Sequence, residues 1–204
     1  MSVALKALNW WRGVLTAWVM VAAALAFLAT ASAPAFAAED DDSNDTYEKN
    51  EIVDAVADFF GVTSEAAANV VEKIFGDLGQ PNAYIAGEEI SGAVAVGLRY
   101  GDGRLYRKGQ KSVKVYWQGP SIGFDIGANA SKCFTLVYNL GRTEEIYQRF
   151  PGVEGTYYFI AGIGVNYQRS GRISLAPMRT GVGVRAGVNA GYLSYSRERS
   201  WLPF

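Results

Sequence analysis

The chain has 204 residues, of which 50% are hydrophobic, and its 19 basic side chains nearly balance 20 acidic ones. This length is that of one ordinary domain, which excludes a large multidomain enzyme, and the balanced charge gives no general electrostatic reason to bind nucleic acid. Because the chain has no histidine and a single cysteine, it has no Ser-His-Asp or Cys-His catalytic unit, no zinc site of His and Cys ligands and no internal disulfide. We expect a protein that is not an enzyme and holds no metal or cofactor.

The first 37 residues have the pattern of a secretory signal. Lys6 and Arg12 form a positively charged start, residues 14–28 are apolar, and Ala-Phe-Ala at 35–37 matches a cleavage site. The strongly apolar run is shorter than the about 20 residues that a membrane-spanning helix needs. We therefore predict export with cleavage near Ala37; an uncleaved membrane anchor is the alternative.

An acidic segment and two helices are predicted next. Residues 38–46 are rich in carboxylates and poor in apolar side chains, which predicts a disordered tether. Over 47–81, apolar residues recur every three or four positions, which predicts one helix ending at Gly61 and a second beginning near Thr63 and ending at Gly79. We expect these helices to cover the main domain. A lid or a membrane-surface contact is the alternative, which their acidic polar faces disfavour.

Residues 82–198 have the composition of a β domain and leave 199–204 as a C-terminal tail. Of the 23 glycines, 19 lie between Gly87 and Gly191, where small and apolar residues alternate with period two. The predicted fold is mainly β, of the α+β class: a small antiparallel β-barrel or strongly coiled sheet with two N-terminal helices and one short inserted helix.

Local features of the β domain are predicted from the spacing of glycine, proline and apolar residues. Gly101-Asp102-Gly103 is expected to turn a hairpin, and Gly119-Pro120 to break a strand. The remaining predicted elements are an apolar strand over 132–138, a short helix from Thr143 to Phe150, and final strands over 173–175 and 180–195.

The repeated glycines on one face of the strands predict room inside the barrel for a ligand. Tyr116 and Trp117 precede a glycine-rich strand, and we expect them to form the walls of an apolar cavity. Charged side chains on the glycine-rich face of the strands are expected to line this cavity. A packed core with a structural ion pair is the alternative. The predicted ligand-binding residues are Arg99, Tyr116, Trp117, Asp125, Tyr138 and Arg185.

Other candidate features have structural interpretations. The glycine clusters lack the spacing of a phosphate-binding loop. The neighbours Glu88 and Glu89 point to opposite sides of a strand, so they form no acid/base pair, and we expect them to be solvated surface. Cys133 lies in an apolar pattern and is expected to be a small core residue rather than a reactive thiol.

Four segments of the β domain have a distinctive order of aromatic residues and glycines. They are Asn82-Ala83-Tyr84-Ile85-Ala86-Gly87, Gly97-Leu98-Arg99-Tyr100-Gly101-Asp102-Gly103, Tyr116-Trp117-Gln118-Gly119-Pro120-Ser121-Ile122-Gly123-Phe124-Asp125 and Leu136-Val137-Tyr138-Asn139-Leu140. Over roughly residues 47–198, the chain resembles the EipA family of alphaproteobacterial envelope-integrity proteins. The resemblance implies a small periplasmic β-barrel that is needed for envelope integrity and has no assigned enzymatic activity.

The order of elements has a second, more distant similarity. A glycine-rich hairpin, the pattern Ser-x-Gly-x-x-x-Gly from Ser121 to Gly127, an apolar strand and a short helix are similar to SYLF lipid-binding domains. This similarity supports a lipid or another apolar ligand.

Together these observations predict a periplasmic, non-enzymatic protein that supports cell-envelope integrity by binding a lipid or another amphipathic envelope component. We expect no nucleic-acid partner, and peripheral contact with a membrane is a further option. Two alternatives stay open. One is an integral outer-membrane β-barrel, which the alternation from Val182 to Val188 and the terminal Phe204 favour. The other is an enzyme that acts on envelope polymer through Asp125.

Overall fold

The computed structural model describes residues 45–123, 129–180 and 191–200. The predicted signal, residues 1–37, and tether residues 38–44 lie outside these ranges. Two helices begin the described part: α1 (Lys49–Phe60) and α2 (Ser64–Leu78). Within the described ranges, neither helix has the length and apolar content needed to cross a membrane.

Both helices end where the sequence predicts. Gly61 follows α1 in the left-handed conformation, with φ of 70°, and its amide donates to the Ala57 carbonyl. The Thr63 hydroxyl accepts a hydrogen bond of 3.2 Å from the Ala66 amide and caps the start of α2. Gly79 ends α2. These caps confirm the predicted helix boundaries.

The rest of the described chain is an antiparallel sheet. The elements are β1 (Ala83–Arg107), β2 (Val113–Gly123), β3 (Asn129–Tyr138), a 3-10 helix (Thr143–Ile146), β4 (Arg149–Pro151), β5 (Tyr158–Ile160), β6 (Ile163–Val165), β7 (Gln168–Ser170), β8 (Ile173–Thr180) and β9 (Tyr192–Ser196). The strands lie in the order β4-β9-β2-β1-β3-β8-β6-β5, and β7 pairs with β8. A bridge between Gly152 and Gln168 links the β4 end of this order to β7, so the sheet curls toward closure, which confirms the predicted fold.

Strand β1 does not turn at Gly101–Gly103, so the predicted hairpin there is wrong. The strand continues to Arg107: residues 83–91 pair with β3, and residues 95–105 pair with β2. The two parts of β1 approach each other at Gly87, where an added Cβ would lie 2.2 Å from the Asp102 carbonyl oxygen. Gly87 and Gly103 therefore permit the two parts of the β1 backbone to approach each other closely, and Gly103 does not form a turn.

Two further local predictions need correction. Strand β2 runs through Gly119 and Pro120 without a break. Pro120 lies past residues 116–118, the part of β2 that pairs with β9, so its missing N–H interrupts no described ladder on that side. The helix predicted from Thr143 to Phe150 is only one 3-10 turn, because β4 begins at Arg149.

The sheet separates two cores. Side chains that alternate along β1, β2, β3, β8 and β9 fill its inner face, among them Val115, Trp117, Leu175 and Leu193. The helices pack on the outer face of β3, β6 and β8, and this second core includes no described residue of β2, β4 or β9. No described helix therefore covers the outer face of β2, β9 and β4.

Candidate functional site

The structure describes four of the six predicted ligand-binding residues and separates them into three environments. Arg99 and Trp117 meet in the sheet interior, and Tyr116 faces outward from the same sheet. Tyr138 is 2% exposed and packs in the core beneath the helices. Asp125 and Arg185 lie outside the described residues.

Arg99 and Trp117 are brought together by a buried carboxylate, Glu89. Arg99 and Arg179 each place Nε 3.0 Å from Glu89 Oε1, and Trp117 Nε1 donates to Glu89 Oε2 at 2.9 Å. Glu89 is 2% exposed, so the prediction of a solvated surface position is wrong. The period of two from Ala83 through Ile85 already places position 89 on the inner face.

The charges around Glu89 explain how it stays ionised. Burial alone would raise the pKa of this carboxyl, but the positive charges of Arg179 and Arg99 outweigh it and hold the pKa below its ordinary value. Arg179 also donates from Nη1 to Asn166 Oδ1 at 2.8 Å. Glu89, Arg99 and Arg179 thus form an interior ion cluster that ties β1 to β8.

The inner face next to this cluster is filled by side chains. Trp117 is 2% exposed, and its ring lies 6.0 Å from that of Tyr195, which in turn meets Phe150 edge-on. A Cβ added at Gly101 would lie 2.1 Å from Trp117 Cε2. The space that glycine leaves at this position is therefore taken by the indole, and not by a cavity for a ligand.

A groove of about 220 Å³ lies instead on the outer face of β1 and β2. We call it the outer groove. Tyr100 and Tyr116 form its aromatic sides, and Ile90, which is 56% exposed, adds apolar surface. Tyr116 and Trp117 are the predicted site residues that line it. The lining residues are Glu88, Ile90, Tyr100, Gly101, Asp102, Tyr116, Trp117, Gln118, Ala130, Ser196, Arg199 and Ser200.

Charged side chains surround the Tyr116 side of the outer groove. Asp102 forms ion pairs with Lys114 and with Arg199, the latter at 3.5 Å. Lys114 Nζ and Arg199 Cζ lie 5.5 Å and 5.8 Å from the centre of the Tyr116 ring, within range of cation–π attraction. The arrangement can hold an amphipathic molecule with its apolar part against the aromatic rings and a polar group at the charges.

Cys133 is expected to resist thiol reagents in the folded protein. Its side chain is 1% exposed, which confirms the predicted core position, and burial raises the pKa of the thiol to about 11. A maleimide added at neutral pH should label the native protein at least about a hundredfold more slowly than the protein in denaturant, because both exposure and thiolate are suppressed. Rapid labelling of the native state, followed by mass spectrometry, would contradict the packing around Cys133.

Comparisons with known proteins agree with this architecture. The model of the family described as Envelope integrity protein A matches residues 45–204, which confirms the resemblance found in the sequence. A beta-barrel-like, uncharacterized protein from Brucella abortus, known from its crystal structure, is 48% identical in sequence to this chain. The two structures align with a TM-score of 0.71. The match covers 78% of this chain and 99% of that one. No curated protein matches this chain.

Proposed function

Since the chain belongs to the envelope integrity protein A family, we propose that it is a periplasmic, non-enzymatic protein that binds a lipid or another amphipathic envelope component. The signal pattern of residues 1–37 supports export. Binding without chemistry is consistent with a chain that has no histidine and whose one cysteine is buried.

The observation that carries this proposal is the outer groove. Its surface is largely aromatic and aliphatic, from Tyr100, Tyr116 and Ile90, and a few charged groups border it. Ligand sites combine an apolar surface with a small number of polar groups that orient the ligand. A groove of about 220 Å³ has room for part of an acyl chain, so the ligand's head group would remain outside it.

The integral outer-membrane barrel is less consistent with the described strands. Such a barrel needs an outward band of apolar side chains in contact with lipid. Here the outward positions of β2 and β4 include Lys114 and Arg149, which are exposed. The helices cover the outward face of β3 and β8. The described outer surface therefore offers no continuous apolar band.

Among the described residues, no observation favours an enzyme that acts on envelope polymer. Its candidate acid, Asp125, lies outside the described residues, and Arg99, another charged residue of the predicted site, forms an ion pair with Glu89. In the outer groove, the carboxylate of Asp102 is held by Lys114 and Arg199. Both of these carboxylates are therefore paired with basic side chains.

Substitution of Tyr116 tests the proposed function. Protein recovered from bacterial envelopes should carry lipid that native mass spectrometry detects, and Tyr116→Ala should retain about tenfold less, because it loses one aromatic side of the groove. Phe159→Ala is the matched control, since Phe159 is 45% exposed on β5 and does not line the groove. In a strain lacking the gene, the control should restore detergent resistance and Tyr116→Ala should not.

Two results would contradict the proposal. One is wild-type protein that is reproducibly free of envelope lipid. The other is full restoration of detergent resistance by Tyr116→Ala at normal abundance. Equal melting temperatures of the two variants would show that any loss comes from the groove and not from unfolding.

A further inference from the structure

The near-zero net charge of the chain conceals a strong separation of charge along it. Residues 45–80, which contain both helices, carry eight carboxylates and two lysines. Residues 81–204 carry fifteen basic side chains and eight acidic ones. The helical cover is therefore negative and the β domain positive.

Several of the basic residues share the part of the sheet that the helices leave uncovered. Arg104 pairs directly with Lys114 across β1 and β2, and Arg149 pairs with Ser194 across β4 and β9. Directly paired residues lie on one face of a sheet. Their sequence neighbours Leu105 and Phe150 belong to the inner core, so these basic side chains point outward.

Tyrosine rings lie between the basic groups. The guanidinium of Arg149 is 5.0 Å from the centre of the Tyr192 ring. Tyr116 lies between Lys114 and Arg199 in the same way. We call this surface the basic–aromatic face. It consists of Arg104, Lys114, Tyr116, Arg149, Tyr192 and Arg199, and it includes the carboxylates Glu88 and Asp102, which line the outer groove.

Arginine and tyrosine side chains combine an apolar body with a polar end, and this combination suits the boundary between water and lipid. The outer groove lies on the same face, because Tyr116 and Arg199 belong to both. The acidic helices pack on the outer face of β3, β6 and β8, so they do not cover this face. The basic side chains and the outer groove thus share one uncovered surface.

We propose that the basic–aromatic face docks on a membrane surface rich in anionic phospholipid, with the outer groove open toward the lipid. This inference rests on the proposed function, and it adds the source of the ligand and the orientation of the protein. Each basic side chain near such a surface contributes about fivefold to the affinity, and salt weakens the effect.

Vesicle flotation tests this docking. The exported chain should float with vesicles of phosphatidylethanolamine and phosphatidylglycerol, and should stay unbound with vesicles of phosphatidylethanolamine and phosphatidylcholine. The double variant Arg104→Gln/Arg149→Gln should bind the anionic vesicles about 20-fold more weakly. The double variant Lys49→Gln/Lys73→Gln removes the same charge from the helices and should bind like the wild type.

Three outcomes would overturn the inference: equal binding to both kinds of vesicle, equal weakening by both double variants, or binding to an anionic polysaccharide with none to vesicles. Native mass spectrometry of the same preparations separates this inference from the proposed function. Protein that carries lipid but does not bind vesicles refutes the docking and leaves the groove proposal standing. Protein that binds vesicles but carries no lipid refutes the groove proposal and leaves the docking face standing.

Discussion

Glu89→Leu is expected to lower the free energy of unfolding by about 3–5 kcal/mol, because it leaves the buried guanidinium of Arg179 without its carboxylate. Arg179 is 7% exposed and cannot turn to water without disturbing β8. Urea denaturation followed by tryptophan fluorescence measures the change. Glu88→Leu is the matched control, since Glu88 is exposed on the other side of the same strand, and it should change stability by less than about 0.5 kcal/mol.

The carboxylate of Glu89 also makes the free energy of unfolding depend on pH. The pKa of Glu89 is lower in the folded protein than its ordinary value of 4.5, so its contribution is fully present above that value and is lost as the pH falls below it. The wild type should therefore lose more stability than Glu89→Gln when the pH is lowered below about 4.5. Identical acid profiles for the two proteins, or a Glu89→Leu variant as stable as the wild type, would show that the ion cluster does not hold the sheet together.

Gly87→Ala is expected to destabilise the protein by about 3 kcal/mol, because the new methyl group would lie 2.2 Å from the Asp102 carbonyl oxygen. Relief of this clash requires the two parts of β1 to separate, which disturbs the pairing with β2 or β3. Gly76→Ala is the control. Gly76 lies in the exposed side of α2 with no atom near an added Cβ, so alanine there should stabilise by about 0.5–1 kcal/mol.

Differential scanning calorimetry measures the melting temperatures of the two glycine variants. If the two parts of β1 approach as closely as described, Gly87→Ala should lower the melting temperature and Gly76→Ala should raise it. A Gly87→Ala protein that melts at the temperature of the wild type would show that the strand can open without loss. The pair thus separates the general effect of replacing glycine from the specific geometry of β1.

The helices were predictable because their signals are local. Gly61 and Thr63 act through their own backbone and hydroxyl groups, within a few residues of the elements they end or begin. The alternation of side chains likewise needs only neighbouring positions, and it correctly predicts the strand over 132–138 within β3. Fold class followed from these local patterns together with their number.

The ion cluster and the continuity of β1 were not predictable in this way. The period of two places Glu89 on the inner face, but its partner Arg179 lies 90 residues along the chain and reaches it across the sheet, and no local pattern reports that contact. Gly101-Asp102-Gly103 has the composition of a turn, yet Gly101 serves to seat the indole of Trp117. Glycine has both uses, and only the three-dimensional neighbours decide between them.

The outer groove was predicted in part. The sequence points to Tyr116 and Trp117, and both line the groove, but the cavity was predicted inside the barrel. The reason for the difference is that Trp117 belongs mostly to the inner core, while its neighbour Tyr116 faces outward by the period of a strand. Arg199, from the region predicted to be a tail, completes the groove.

The double pairing of β1 has a consequence for how the polypeptide is made. β1 is shared by both parts of the sheet, whereas β8 and β9, which pair with β3 and β2, come from residues 173–180 and 192–196. Contacts between such distant positions form late and slowly. The described sheet can therefore be completed only once residues 192–196 have been synthesised, and the edges of β2 and β3 stay unpaired on that side until β9 and β8 reach them.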